Sequence, residues 1–358
     1  MSLETAIGID ACGGDTVDGR TPAERTAVVV RTIAREHPNT HFILVGEEIM
    51  LNQHLRTKPD NIEIVHGADR KYGAVKKLCE LASEGNIEGF YSLANSKVLV
   101  PAVNHYIGTF DACAKLFPGQ KFMPLLAELP KSRRGTHANS WYLLDVGAVP
   151  EISAENYIMY AHIGRVYASV IGQRKGVRVA LLNIGSEDNK GTGALQQAHD
   201  RLSALLPDNS DIKEHADRFI GNVEAYPCLF DREKWQATPR PVDVVVTDAF
   251  SGNIAIKFLA GGADVLKDDI RYEVEHGGLR EKGAGALSKP MYDRIKSRIT
   301  QYGVAKFPCS KRAVCKGHGT TGIDGVIAGV EHLLAYVAAR GTQKMETALG
   351  QYAHAAMA

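Results

Sequence analysis

The sequence predicts an α/β protein, a doubly wound and mostly parallel sheet with helices on both faces. Short apolar runs rich in branched residues read as strands buried on both sides. Segments with helical spacing alternate with them, and strand–helix repetition calls for right-handed crossovers and three α/β/α layers. The chain is also large enough to bury such a core, with 358 residues, 44% hydrophobic and 23% charged.

In order, a strand at Ala6 to Ile9 leads to a helix at Thr21 to Glu36. Strands at His41 to Gly46 and Ile62 to His66 come next, then a helix at Ala74 to Glu84 and a strand at Gly89 to Ser92. The second half reads as a strand at Tyr142 to Val146, a helix at Glu155 to Ile171 and a strand at Val177 to Ile184. A helix at Gly193 to Leu206 and a strand at Val242 to Thr247 complete the alternation. No repeat or long linker interrupts it, so residues 1–341 are expected to form one domain and 342–358 a C-terminal tail. Charge clusters and paired glycines over 268–298 predict a protruding arm of helix, flexible tip and helix.

Charge excludes some function classes. Forty-two basic against 41 acidic residues leave a net charge of +1, so nothing suggests a surface built to coat nucleic acid. The six cysteines form no CxxC pair, as expected where thiols stay reduced, in the cytoplasm or an organelle matrix. No apolar run approaches the ~20 residues that span a bilayer, and a cleavable signal peptide is not expected.

In doubly wound sheets, ligands bind where loops and helix N-termini follow the strands. After the first strand come Asp10, Gly13, Gly14 and Asp15, glycines that let the backbone turn against a ligand; GxGxxG is absent, which argues against a dinucleotide. Gly185 to Gly191 gathers carboxylates, an amide and Lys190, a cradle for an anion beside a cation. Gly221-Asn222 and Asp248 with Gly252-Asn253 repeat the pairing of glycine with Asn or Asp, which as readily makes plain Asx turns. His318 stands between glycines, with Lys316 before it and Thr320-Thr321 after it. Cys309, Cys315 and His318 match no common zinc spacing, so no metal is expected.

Taken together, these motifs resemble the PlsX family of acyl carrier protein:phosphate acyltransferases from Asp10 to Leu333. The likeness rests on Ile9-Asp10-Ala11 with Gly13-Gly14-Asp15, Leu143 to Ala148, Leu181 to Gly185 with Lys190-Gly191, Gly221 to Glu224, Asp243 to Val246 with Asp248 and Gly252-Asn253, and His318-Gly319. The resemblance implies a Rossmann-like fold related to isocitrate and isopropylmalate dehydrogenases, usually a homodimer, without cofactor. Its implied reaction is attack of inorganic phosphate on an acyl carrier protein thioester, giving acyl phosphate for phospholipid synthesis. Implied roles are charge neutralisation by Lys190, orientation by Asn222 and Asn253, positioning by Asp248 and donation by His318. Asp10, Gly13, Gly14, Asp15, Asn95 and Ser96 are expected to bind substrate.

The sequence departs from the family at Ser92-Leu93-Ala94-Asn95-Ser96-Lys97-Val98, where two glycines are replaced. Ala94 and Lys97 are expected to narrow that loop, or Lys97 to bring charge to it directly. This keeps open a second reading, a homologue with weakened or lost catalysis that still docks acyl carrier protein. At the arm's tip, two leucines among polar residues offer little apolar area, so weak or absent membrane association is expected.

Overall fold

The computed structural model describes residues 5–67, 71–119, 123–131, 140–208, 216–225, 242–300 and 303–357. Its strands are β1 (Thr5–Asp10), β2 (Thr40–Gly46), β3 (Ile62–His66), β4 (Gly89–Ser92), β5 (Leu126–Pro130), β6 (Ser140–Leu144), β7 (Arg178–Leu182), β8 (Arg218–Val223), β9 (Val244–Val246), β10 (Ala305–Lys306) and β11 (Ala313–Lys316). The helices are α1 (Pro22–Glu36), α2 (Glu48–His54), α3 (Lys71–Ser83), α4 (Ser96–Ala102), α5 (Asp111–Leu116), α6 (Ala154–Val170), α7 (Gly193–Leu205), α8 (Ala249–His276), α9 (Leu279–Thr300), α10 (Ile323–Ala338) and α11 (Gly341–Met357).

The strands form one mostly parallel sheet in the order β3-β2-β1-β4-β11-β10-β5-β6-β9-β7-β8. Helices cover both faces. Ile7 and Ile9 of β1 pack with Val29, Val30 and Ile33 of α1 and Val330 and Leu333 of α10. On the other face Ile43 and Val45 of β2 meet Ala74, Val75 and Leu78 of α3. Val244 and Val246 of β9 join α6 while Val245 faces the opposite layer, the period of two that a strand dictates. Local chemistry sets α1's start: Pro22 occupies the first turn, and Thr21 and Glu24 bond each other's backbone N–H in a capping box.

The pairing directions divide the sheet into two opposed sets. β10 runs against both β11 and β5, and β6 runs against β5. The parallel set β3-β2-β1-β4-β11 therefore points opposite to the parallel set β6-β9-β7-β8. Strand twist of about 20–25° per step, accumulated over the four steps from β4 to β6, turns the sets by roughly a right angle. Carboxyl ends of both sets can then face a shared cleft. Four strands escape the apolar-run criterion: β10 and β11 are short and carry lysine, β5 carries Glu128 and ends at Pro130, and β8 contains Gly221-Asn222, which the sequence reads as a loop.

Residues 342–358, expected to be a tail, fall within α11 apart from the undescribed Ala358. Met345, Leu349 and Ala353, four residues apart, bury one face in the core beside α6. Tyr352 bonds His162 Nε2 at 3.0 Å, and Arg165 lies over the Tyr352 ring. Burial first, then Arg165, pushes the His162 pKa down from 6.5 to about 4. The unfolded chain thus binds this proton more readily than the folded one, so stability falls as pH drops from 6.5 towards 4. The loss between pH 7 and pH 5 is about 2 kcal/mol for this group. Urea unfolding of the native chain and of His162→Gln should show that part of the acid sensitivity disappear in the variant.

The long helices α8 and α9 form the arm, joined at Gly277-Gly278. Among the described residues no helix is long and apolar enough to cross a membrane. Cys228 lies outside the described residues; the other five cysteines are free thiols.

Candidate active site

At the carboxyl end of β1, the buried Asp10 organises two loops at once. Its Oδ1 accepts the N–H groups of Cys12 and Gly13, both at 2.9 Å, and its Oδ2 accepts the Ser92 hydroxyl at 2.6 Å. Ser92 Oγ in turn accepts the Ala94 N–H at 3.0 Å. Gly14 adopts φ +91°, open to glycine at little cost. Asp15 then donates its N–H to the Gly319 carbonyl at 3.0 Å, joining this loop to the one after β11.

The altered loop after β4 leads into α4. Asn95 caps α4 by accepting the Lys97 N–H at 2.9 Å, and Ala94 is buried. Neither Ala94 nor Lys97 takes a positive φ, so neither position demands glycine here. Lys97 instead sends its side chain into a cavity.

On the opposite side, the buried Asp145 accepts N–H groups from Leu125, Gly147, Ala148 and Val149 at 2.8–3.2 Å. Burial pushes its pKa up to about 6 against those hydrogen bonds. Asp248 caps α8, accepting the Ser251 N–H and hydroxyl, each at 2.8 Å. One turn into that helix, Asn253 and Lys257 stand four residues apart on one face.

These loops enclose a cavity of about 560 Å³. Gly14, Asp15 and Leu93 to Lys97 form one wall with Lys316, His318 and Gly319; Gly147, Ala148, Phe250, Asn253 and Lys257 form the other. Among its described lining residues, Asp15 is the one carboxylate against three lysines. Burial, then Lys257, pushes the Lys316 pKa down from 10.5 to about 8. Burial, followed by Lys316 and Lys257, holds His318 below its ordinary 6.5, with Asp15 acting the other way. His318 Nδ1 faces the Thr320 hydroxyl at 2.8 Å and the Thr320 N–H at 3.4 Å. With Nδ1 accepting, Nε2 carries the proton as a donor. Among the described residues no three His, Cys, Asp or Glu side chains gather as a metal-binding group.

Of the residues the sequence singles out, the cavity gathers Gly14, Asp15, Asn95, Ser96, Asn253 and His318. Asp10 and Gly13 are outside the lining and brace it from behind; Asp248 is spent on the α8 cap. Lys190 and Asn222 do not reach it. Lys190 lies 3.9 Å from Glu187, while Asn222 Nδ2 donates to the Glu187 carbonyl at 2.9 Å. Both belong to the β7 and β8 ends, one and two strand spacings beyond β9, which is about 5 Å per step. Sequence motifs do not single out Lys257, whose signal is its position one helical turn after Asn253. Lys316 enters them only as a neighbour of His318.

The chain belongs to the fatty acid synthesis protein family, whose model matches residues 124–343. Its relatives include proteins named phosphate acyltransferase. The one from Shouchella clausii is 29% identical over 90% of this chain and 92% of its own length, and the one from Bacillus subtilis is 28% identical over the same shares. Among solved structures, a branched-chain phosphotransacylase from Enterococcus faecalis shares the fold at TM-score 0.55 and 11% identity, covering 93% of this chain and 99% of that one. A phosphotransacetylase from Streptococcus pyogenes does so at TM-score 0.53 and 11% identity, over 93% and 95%.

Proposed function

We propose that this chain forms acyl phosphate from an acyl carrier protein thioester and inorganic phosphate, in the cytoplasm where such carriers are used. The observation that carries the reading is the cavity's set of Lys97, Lys257, Lys316 and His318 beside Asn253, offset by one carboxylate. A phosphate dianion is already nucleophilic, so the site has to place it and neutralise charge rather than deprotonate it. A phosphate oxygen bonds to the thioester carbonyl carbon, the oxyanion forms among the lysines, and the C–S bond then breaks. The proton of hydrogen phosphate ends on the departing thiol. Lys316 and Lys257 hold the phosphate, Asn253 orients it, and neutral His318 donates from Nε2 to phosphate or sulfur. Pure protein incubated with acyl carrier protein thioester should release carrier thiol only when phosphate is present; release independent of phosphate, or none, refutes the assignment.

Because Lys190 and Asn222 stand at the β7 and β8 ends beside the cavity lining rather than in it, we assign them to the donor's arm and not to the reacting atoms. Lys190→Ala is expected to raise KM for the acyl donor about tenfold and leave KM for phosphate within about twofold, a split that steady-state kinetics reads directly. The two opposed strand sets fit the isocitrate and isopropylmalate dehydrogenase type of fold. The exposed stripe Phe250, Ile254, Phe258, Val265 and Leu266 on α8 fits a homodimer, since such patches mark association. Phe258→Glu should shift the protein to the monomer in sedimentation analysis.

A further inference from the structure

Behind the cavity wall lies a cation that the reaction outlined above does not use. Arg25, in the first turn of α1, is 1% exposed. Its Nη1 donates to the Asp15 carbonyl at 3.1 Å, whereas Nε and Nη2 have no hydrogen-bond partner. Gly14, which lines the cavity, lies against it: a Cβ there would lie 2.6 Å from Arg25 Nη2 and 2.8 Å from the Gly319 carbonyl. Tyr91 lies nearby, fully buried, with an unpartnered hydroxyl, and a Cβ on Gly329 would strike its ring.

Such a placement is unfavourable on two counts. A buried cation lacking a full set of acceptors carries a desolvation penalty that Asp15 offsets only in part, and a positive charge in the first turn of a helix opposes the helix dipole. Burial lowers the Arg25 pKa, with Tyr91 and Asp15 acting the other way. An anion seated on the far side of Gly14 would offset both, because charge interactions are strong across a thin layer of low dielectric.

We infer that Arg25 is a positioning residue for the phosphate site. It holds the Asp15 main chain, whose own N–H bonds the Gly319 carbonyl, and directs its charge through Gly14 at the bound anion. This rests on the phosphate-binding reading of the cavity.

The test measures inorganic phosphate binding by calorimetry, without turnover, for the native chain, Arg25→Met and Arg25→Lys. Methionine keeps length and apolar bulk but removes the charge; lysine restores the charge. Arg25→Met is expected to weaken phosphate binding roughly tenfold, the effect of about one nearby charge, and Arg25→Lys to stay within about threefold of native. In kinetics, KM for phosphate should rise while KM for the acyl donor holds, a split that general destabilisation does not produce. Folded Arg25→Met that binds phosphate as the native chain does overturns the inference and leaves the acyltransferase reading standing. No phosphate binding by the native chain overturns both. Should Arg25→Met not fold, Arg25→Gln is read the same way; should neither fold, a tenfold loss in Arg25→Lys overturns the role of charge and retention within threefold supports it.

Discussion

Replacing Lys316 with methionine is expected to lower kcat/KM for phosphate about 100-fold or more, the scale for losing a preorganised charge at a reacting oxyanion. The lysine is half-buried beside Lys257, and its Nζ donates to the Gly317 carbonyl at 3.0 Å. That contact fixes the ammonium at the cavity wall, so little reorganisation accompanies arrival of phosphate. The pKa of about 8 gives the sign of the pH dependence. Lys316 is charged below that value and neutral above it, so kcat/KM for phosphate should fall on an alkaline limb centred near it. Lys316→Arg keeps the charge at all accessible pH and should retain part of the activity with the limb removed. A Lys316→Met enzyme as active as the native one, or a native profile flat from pH 7 to 9, would rule out this role.

The second large effect comes from a residue with no side chain. Gly252 sits in the first turn of α8, where an added Cβ would overlap the Asp145 carbonyl oxygen and come within 3.0 Å of Thr247 Cγ2. Asp145 cannot yield, since four backbone N–H groups hold its carboxylate. Gly252→Ala must therefore push the start of α8 away, and Asn253 and Lys257 move with it. A shift of about 1 Å at catalytic groups costs on the order of 100-fold in rate, while overpacking costs about 1–3 kcal/mol of stability. Circular dichroism and unfolding should show a folded, weakened protein with activity down by that factor. Native activity in Gly252→Ala would show that α8 does not position the reacting groups.

Legibility in the sequence varied with how local each feature was. The strands of β1, β2, β4, β6, β7 and β9 follow from apolar runs that their own residues display, and Gly14 follows from the turn it makes. Strands β10 and β11 do not, because two to four residues bonded between distant partners carry no period of their own. Lys190 stood out because it lies inside a motif, yet it pairs with Glu187 outside the cavity. Lys257 stood in an ordinary helix and only became visible once the α8 cap aimed that face at the cavity.

By itself, the amino-acid order determined the alternation of strands and helices, the glycine turns at their ends and the family to which the chain belongs. Tertiary structure alone decided that two opposed strand sets aim their loops into one cavity, that Lys97, Lys257 and Lys316 share it, and that Arg25 is buried behind it. The reason is physical. Periodicity and turn chemistry act over a few residues, whereas a charge's environment depends on which distant segments exclude water from it.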